Sequence, residues 1–493
     1  MLWPRKRIAI ALVVVLWAVM TGSLLYREVL EPAFFRAPPP PGALAAQDAW
    51  MGIYMGGDRR VGYMNTVVTP GFRDGEAGAA MHLNMRMELN LFNFPASLVV
   101  KAETWTSAET GLKDFTLSLR SGDQNLEIEG ALGDGKLTAQ LHTGGDTIPL
   151  SFPIDQDLLL SGGMGMPSAQ LPVMEVGETQ YIDAFDPMSM SVGRTKLDCI
   201  EILPFASGDQ EILARVIAID ANGLKSKAWI GPSGEVLQAQ TPFGLTLRVL
   251  TAQEALAPFQ ESENADLIQA LAIRPTGATP IQNAKRMTLR FHGVDTNALP
   301  EPGPFLLLFD GRYTARQATS ADVDGTATLD PAALNAILAD DPLDAAHNPK
   351  ITRAAAGIVE GALTPWDKAL RIYTWVYENV EKRPALGVPT AVEVLQNLEG
   401  DCNEHTVLFT ALARAAGLPA RIAIGLVWSD EIQGFGYHAW PEVFMGKWIP
   451  MDPTLGQVFA DATHIKLLNG NIDRWVQLIP FVGQLQIEVL EVE

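Results

Sequence analysis

Apolar and polar residues alternate with a period of two through much of the stretch from Trp50 to Leu250, in short segments broken by turn residues. Met81–Leu91, Leu98–Thr104, Asp114–Arg120, Asn125–Leu132, Lys136–His142 and Glu211–Ile219 each read as a strand with one face turned to a core. Gly122-Asp123, Asp134-Gly135 and Gly144-Gly145 supply turns between them. This spacing predicts a large antiparallel sheet, open or half-closed. An acidic, helix-compatible link over Thr251–Asn264 follows, and Lys285–Phe291, Phe305–Phe309 and Thr326–Leu329 predict a second, smaller β unit.

The period changes to that of a helix from Pro349 onward. Thr364 is an N-cap with Pro365 at the first helical position, and Trp366, Ala369, Leu370, Tyr373, Val376 and Tyr377 then form one apolar stripe, read as core. A short helix over Thr390–Leu398 leads to Gly400. From Cys402 to Ala416, Val407, Leu408, Ala411, Leu412 and Ala415 fall on one face, and Gly417 and Pro419 are stop signals. Ala420–Trp428, Tyr437–Phe444 and Lys447–Met451 read as strands, the last two joined by a turn at Met445-Gly446-Lys447. The alternation from Leu485 to Val492 predicts a final strand that closes a sheet.

At the other end, Ile8–Tyr26 is a run of 19 residues without a charge, enough for one membrane crossing. Arg5, Lys6 and Arg7 precede it, which leaves the N-terminus in the cytoplasm. The nearest small-x-small site, Ala43-Leu44-Ala45, lies behind four prolines and too far on for signal cleavage, so an uncleaved anchor is expected. The fold class expected is therefore multidomain: an N-terminal transmembrane helix, β-rich antiparallel-sheet domains and a C-terminal α+β domain. The boundaries are 1–30 for the N-terminus and anchor, 31–47 for a proline-rich linker, 48–255 for the large β domain, 256–345 for the smaller β unit and 346–493 for the last domain. The expected location is the inner membrane, single-pass, with the bulk of the chain periplasmic or otherwise extracytoplasmic.

Charge narrows the partners. With 36 basic against 57 acidic residues the net charge is −21, and no basic face is available for a phosphate backbone, so nucleic acid is excluded as a partner. The two cysteines, Cys199 and Cys402, make no disulfide framework. Cys199 sits in an alternating stretch and reads as a small buried hydrophobe. His82, His142, His292 and His347 are scattered singly, so neither a metal site nor a cofactor is legible.

The residues that carry chemistry cluster late. Cys402 falls at a helix N-terminus, where free N–H groups and the helix dipole favour thiolate, so a lowered thiol pKa is expected. His438 and Asp452 lie on either side of a turn centred near residue 445, which predicts that they face one another across a hairpin, with Cβ atoms roughly 5 Å apart. A carboxylate there holds the imidazole in one tautomer while the other ring nitrogen takes the thiol proton. His405, three residues after Cys402 on the same helix, is the rival base, but no acid is predictable beside it. Glu404 and Glu442 are read as structural, His464 carries no assigned role, and Trp375, Gln396 and Asn397 are weighed as a second oxyanion donor beside the Cys402 N–H.

Gly-x-Cys-x-Glu-His at 400–405, Leu-x-Arg-x-x-Gly-Leu-Pro-Ala-Arg at 412–421, His438-Ala-Trp-x-Glu-Val and Trp448-Ile-x-x-Asp452-Pro-Thr together resemble the bacterial transglutaminase-like superfamily. The resemblance covers about a quarter of the chain. It implies a papain-like α+β fold, Cys402, His438 and Asp452 as the catalytic triad, and a thioester formed from a protein or peptide amide. Water as acceptor gives a peptidase or amidase, and a lysine amine gives a cross-linking acyltransferase. Hydrolysis is favoured, since no calcium-regulated apparatus is legible. The alternative is an envelope binding or scaffold protein whose β domain holds a ligand or partner, with the last domain catalytically inactive.

Overall fold

The computed structural model describes residues 46–493 apart from 92–93, 110, 123, 134, 144–145, 154–158, 161–170, 187–190, 208–209, 222–223, 242–243, 259–265, 295–302, 325–327, 339–344, 384–389, 471–480 and 482. The anchor expected at Ile8–Tyr26, the proline run and the Gly144-Gly145 turn lie outside the described residues. Among those described, no helix is long and apolar enough to cross a membrane.

Alternation in the first half of the chain folds into one sheet of fifteen strands among the described residues. Two meanders meet in its middle, where the first strand, Gln47–Met55, pairs antiparallel with the last, Leu245–Leu250. The edges are Asp146–Pro153 and the two-residue Leu159–Leu160, and the latter lies against Gly111–Ser121, so the sheet curls back on itself. Ile53, Leu117, Ile128, Leu197, Ile217 and Leu247, drawn from both meanders, belong to one buried cluster, which the sheet wraps. Each such side chain taken fully out of water stabilises the fold by roughly 1.5–3 kcal/mol. Phe115 faces Gly130 across a ladder, and a Cβ on Gly130 would come 2.4 Å from the Phe115 ring. Bulges at Ile53/Tyr54, Trp105/Thr106, Cys199/Glu201 and Trp229/Ile230 bend the strands, as an extra residue in a ladder does.

Beyond the link, strands β1 (Arg286–His292), β2 (Leu306–Phe309) and β3 (Arg312–Arg316) build a small sheet. The helices α1 (Pro349–Ile358), α2 (Pro365–Asn379), α3 (Ala391–Asn397) and α4 (Cys402–Ala415) follow. Thr364 and Thr390 cap α2 and α3 as their sequences require, each accepting from the backbone N–H three residues on. Then come β4 (Ala420–Ser429), β5 (Gly434–Phe444), β6 (Trp448–Pro450) and β7 (Ile465–Asn469), in the sheet order β6-β5-β4-β7. The last strand, β8 (Gln486–Val492), closes a sheet, but the small one: it pairs antiparallel with β1.

One core runs through both units. Met287, Leu289 and Ala315 of the small sheet belong to the same buried cluster as Ile372, Leu408, Ile424 and Val443. Polar bonds stitch the seam: Lys447 Nζ to Asp322 Oδ1 at 2.9 Å, Gln317 Nε2 to the Phe459 carbonyl at 2.8 Å and the Ala462 N–H to the Ala284 carbonyl at 2.9 Å. β4, buried at eight of ten positions, and β5 are the inner strands of this sheet, and α4 packs on both, chiefly on β5.

Candidate active site

The turn into α4 is fixed by its own capping residues. Asp401 is the N-cap, and its side chain accepts from the Asn403 N–H at 2.8 Å, while Glu404 reaches back to the Asp401 N–H at 2.7 Å. A capping box of this kind satisfies two orphan donors of the first turn reciprocally. Gly400 makes room for it: a Cβ there would lie 2.2 Å from the Glu404 Cβ and Cγ. Cys402 is therefore the first residue of the helix, partly exposed.

The first turn docks on β5. Thr406 Oγ1 donates to the Ala439 carbonyl at 3.1 Å, and the Ala439 N–H donates to the Cys402 sulfur. Ala439 follows His438 in the chain, so these two bonds tie the start of the Cys402 helix to the strand that carries the imidazole. His438 Nε2 meets Asp452 Oδ2 at 2.8 Å, with both side chains buried. Of the three residues singled out from the sequence, His438 and Asp452 are in direct contact, and the Cys402 helix is bound to the same strand at Ala439.

Two expectations are corrected. The first concerns register. The ladder pairs Glu442 with Pro450, Val443 with Ile449 and Phe444 with Trp448, which would put Thr454, not Asp452, opposite His438. Pairing ends at Pro450, and Asp452 sits in the turn beyond it, bridged to Gln457, with its Oδ1 accepting the N–H groups of Thr454 and Leu455 at 2.7 and 2.9 Å. The carboxylate reaches His438 from an Asx turn, not from a facing strand position.

The second concerns the thiol. Burial and the negative charges of Asp401, Glu404 and Asp452 push Cys402 well above its ordinary range, with the Ala439 N–H working against them. The helix start was expected to favour thiolate. Here desolvation and the two carboxylates of the capping box at that end of the helix oppose the charge of a thiolate. The Asp-x-x-Glu pattern at 401–404 carries this signal in the sequence.

His405 is fully buried, and its Nδ1–H donates to the Asp401 carbonyl at 2.7 Å. Burial holds its pKa below the ordinary value, and its Nε2 has no hydrogen-bond partner. No carboxylate orients it. Glu404 is used by the cap, and Glu442 by Arg421 at 2.7 Å and Lys466 at 2.8 Å, with the Arg421 guanidinium 4.1 Å over the Trp448 ring. Gln396 spends its amide N–H on the Val392 carbonyl of its own helix at 3.1 Å.

What the sequence did not reveal is His464. Its Nε2 lies 3.0 Å from the same Asp452 oxygen that His438 uses, and its Nδ1 lies 3.1 Å from Asp461 Oδ1. Burial would lower its pKa, but hydrogen bonds and charge from Asp452 and Asp461 outweigh this and raise it to about 9. Asp452 and Asp461 are correspondingly held below the usual carboxylate range, desolvation being overcome by their histidines. Trp440, fully buried, walls the group: its ring stacks with His438 at 6.0 Å and stands edge-on to His464 at 5.1 Å. The ligating atoms of His438, Asp452 and His464 lie within 4.8 Å of one another, a donor set that also suits a metal ion. At 2.8 and 3.0 Å, however, the nitrogen–oxygen separations are those of charge-assisted hydrogen bonds.

Residues 352–453 match the transglutaminase-like superfamily, so the chain carries a transglutaminase-like domain there. No curated protein matches the chain. Among solved structures it is similar to a proposed cysteine protease from Cytophaga hutchinsonii, at 15% identity over 45% of this chain and 86% of that one, with a TM-score of 0.28. A β-barrel-like protein of a domain of unknown function from Brucella abortus is 10% identical over 42% of this chain and 96% of its own, with a TM-score of 0.31. A proposed protease from Parabacteroides distasonis is 10% identical over 57% and 68%, with a TM-score of 0.21.

Proposed function

We propose that the transglutaminase-like domain is a cysteine peptidase or amidase in which Cys402 is the nucleophile, His438 the base and Asp452 the orienting acid. The observation that carries this reading is the 2.8 Å contact of His438 Nε2 with Asp452, on a strand to which the Cys402 helix is tied at Ala439. With Nε2–H committed to the carboxylate, Nδ1 is the nitrogen that takes the thiol proton. The resulting thiolate attacks an amide carbonyl, and the oxyanion meets the Cys402 N–H, one of the first-turn amides without an intrahelical acceptor. His438 then returns the proton to the leaving amine, the C–N bond breaks and a thioester remains on Cys402. Water, deprotonated by the same imidazole, releases the acid.

The imidazole contributes as a general base, an effect worth about 10²–10⁴ in rate. Hydrolysis is preferred to transfer on the absence of a calcium-regulated apparatus in the sequence. We place the enzyme on the outer side of an inner membrane through Ile8–Tyr26. The test is incubation of the chain with a glutamine-containing peptide, with and without a fluorescent primary amine. Deamidation or cleavage that needs Cys402, without amine incorporation, is the expected result. Amine incorporation would make it a transferase, and turnover that survives Cys402→Ala would overturn the reading.

A further inference from the structure

We propose that His464 is a positioning residue for the catalytic acid, and that through Asp461 it ties the site to the small sheet. This rests on the assignment of Cys402, His438 and Asp452 above.

A carboxylate has about four lone-pair sites. In Asp452 all are engaged: Oδ1 accepts from the Thr454 and Leu455 N–H groups, and Oδ2 from His438 and His464. His464 therefore fixes the oxygen that orients His438, and its removal leaves that oxygen with one donor in place of two. Both ring nitrogens of His464 face carboxylates, so both carry hydrogens and the ring is an imidazolium, held between Asp452 and Asp461. Its positive charge meets the same Asp452 oxygen as His438, with the two rings edge-on and 5.7 Å apart, and limits how much negative charge His438 meets.

Asp461 is engaged just as fully. Its Oδ1 accepts from the Thr463 N–H at 2.8 Å, from Thr463 Oγ1 at 2.6 Å and from His464, and its Oδ2 accepts from Gln457 Nε2 at 2.9 Å and from the Asn283 N–H at 2.7 Å. Asn283 stands just before β1, at a φ of 63°. An unbroken chain of hydrogen bonds thus runs from the small sheet through Asp461, His464 and Asp452 to the catalytic imidazole. A histidine satisfied for packing alone has no need of the acid that the base already uses.

The experiment measures the second-order rate of Cys402 carboxamidomethylation by iodoacetamide from pH 5 to 10, located by peptide mass, in the whole chain. Variants are His464→Gln, Asp452→Asn, their double mutant, Asp461→Asn as a milder change should His464→Gln fail to fold, and His438→Ala. His464→Gln is expected to slow labelling about 10-fold and to alter the shape of the pH profile, by analogy with the cost of losing an outer-shell partner. Because His464 acts through Asp452, the double mutant should be no slower than Asp452→Asn alone. Wild-type rates in folded His464→Gln or Asp461→Asn, losses that multiply in the double mutant, or a stoichiometric metal ion on these side chains would overturn the inference. If His438→Ala also labels at the wild-type rate, the triad assignment falls with it. If His438→Ala is slow while His464→Gln is not, only the present inference fails.

Discussion

Raising the pH should remove a stabilising charge from His464. His464 is raised from an ordinary value of 6.5 to about 9 by Asp452 and Asp461. A group whose folded pKa lies above its unfolded one gives stability that is fully present below the unfolded value and is lost as pH rises through the folded value. The window is therefore about pH 6.5 to 9 and somewhat beyond, and at 1.36 kcal/mol per unit the loss amounts to about 3 kcal/mol. The acid side has the opposite sign: Asp452 and Asp461, both lowered, lose their contribution as pH falls below the usual carboxylate range. Urea unfolding of the wild type and of His464→Gln at pH 7 and pH 10 isolates the effect, because lysines and tyrosines that also titrate there cancel in the difference. The advantage of the wild type over the variant should shrink by about 3 kcal/mol between the two pH values. A difference that stays flat would show that His464 is not charged in the fold, and the hydrogen-bond chain built on it would be wrong.

Three further outcomes follow from the geometry. Gly400→Ala places a methyl 2.2 Å from Glu404, so the capping box must open; a loss of about 1–3 kcal/mol in a thermal melt is expected, with slower Cys402 labelling. Glu442→Gln leaves Lys466 and Arg421 without their shared carboxylate and should cost about 3–5 kcal/mol, part of it recovered by adding Lys466→Met, which calorimetry can follow. Cys199 is buried whereas Cys402 is partly exposed, so native-state iodoacetamide should modify Cys402 well before Cys199, read by peptide mass.

Local signals made much of the fold legible in the sequence. Thr364-Pro365, Thr390 and the 402–416 stripe marked helices that stand within a residue or two of where they were expected, and the alternating segments of the front half all lie in strands. Long-range closure was not legible. Gln47–Met55 pairs with Leu245–Leu250 across some two hundred residues, and no local pattern encodes that choice. β8 reads as a strand, yet nothing in its alternation says that it joins β1 rather than the sheet of β4 to β7. At the site, residue types and turn position brought His438 and Asp452 together correctly, although the ladder ends early and an Asx turn supplies the contact. The thiol shifts against the expected direction because the dipole was considered without desolvation and without the two acids that cap the helix. His464 was noted without a role, and the part played by Asp461 and Asn283 was not legible, because their bonds join three segments with no periodic relation, one of them almost two hundred residues away.

The most direct test of the central claim compares the rate of Cys402 carboxamidomethylation at pH 7 in the wild type, His438→Ala and His405→Ala. With His438, oriented by Asp452, as the base for Cys402, His438→Ala should fall about 10²-fold or more while folded His405→Ala stays near the wild-type rate. Equal rates in the wild type and His438→Ala, or a loss confined to His405→Ala, would contradict it.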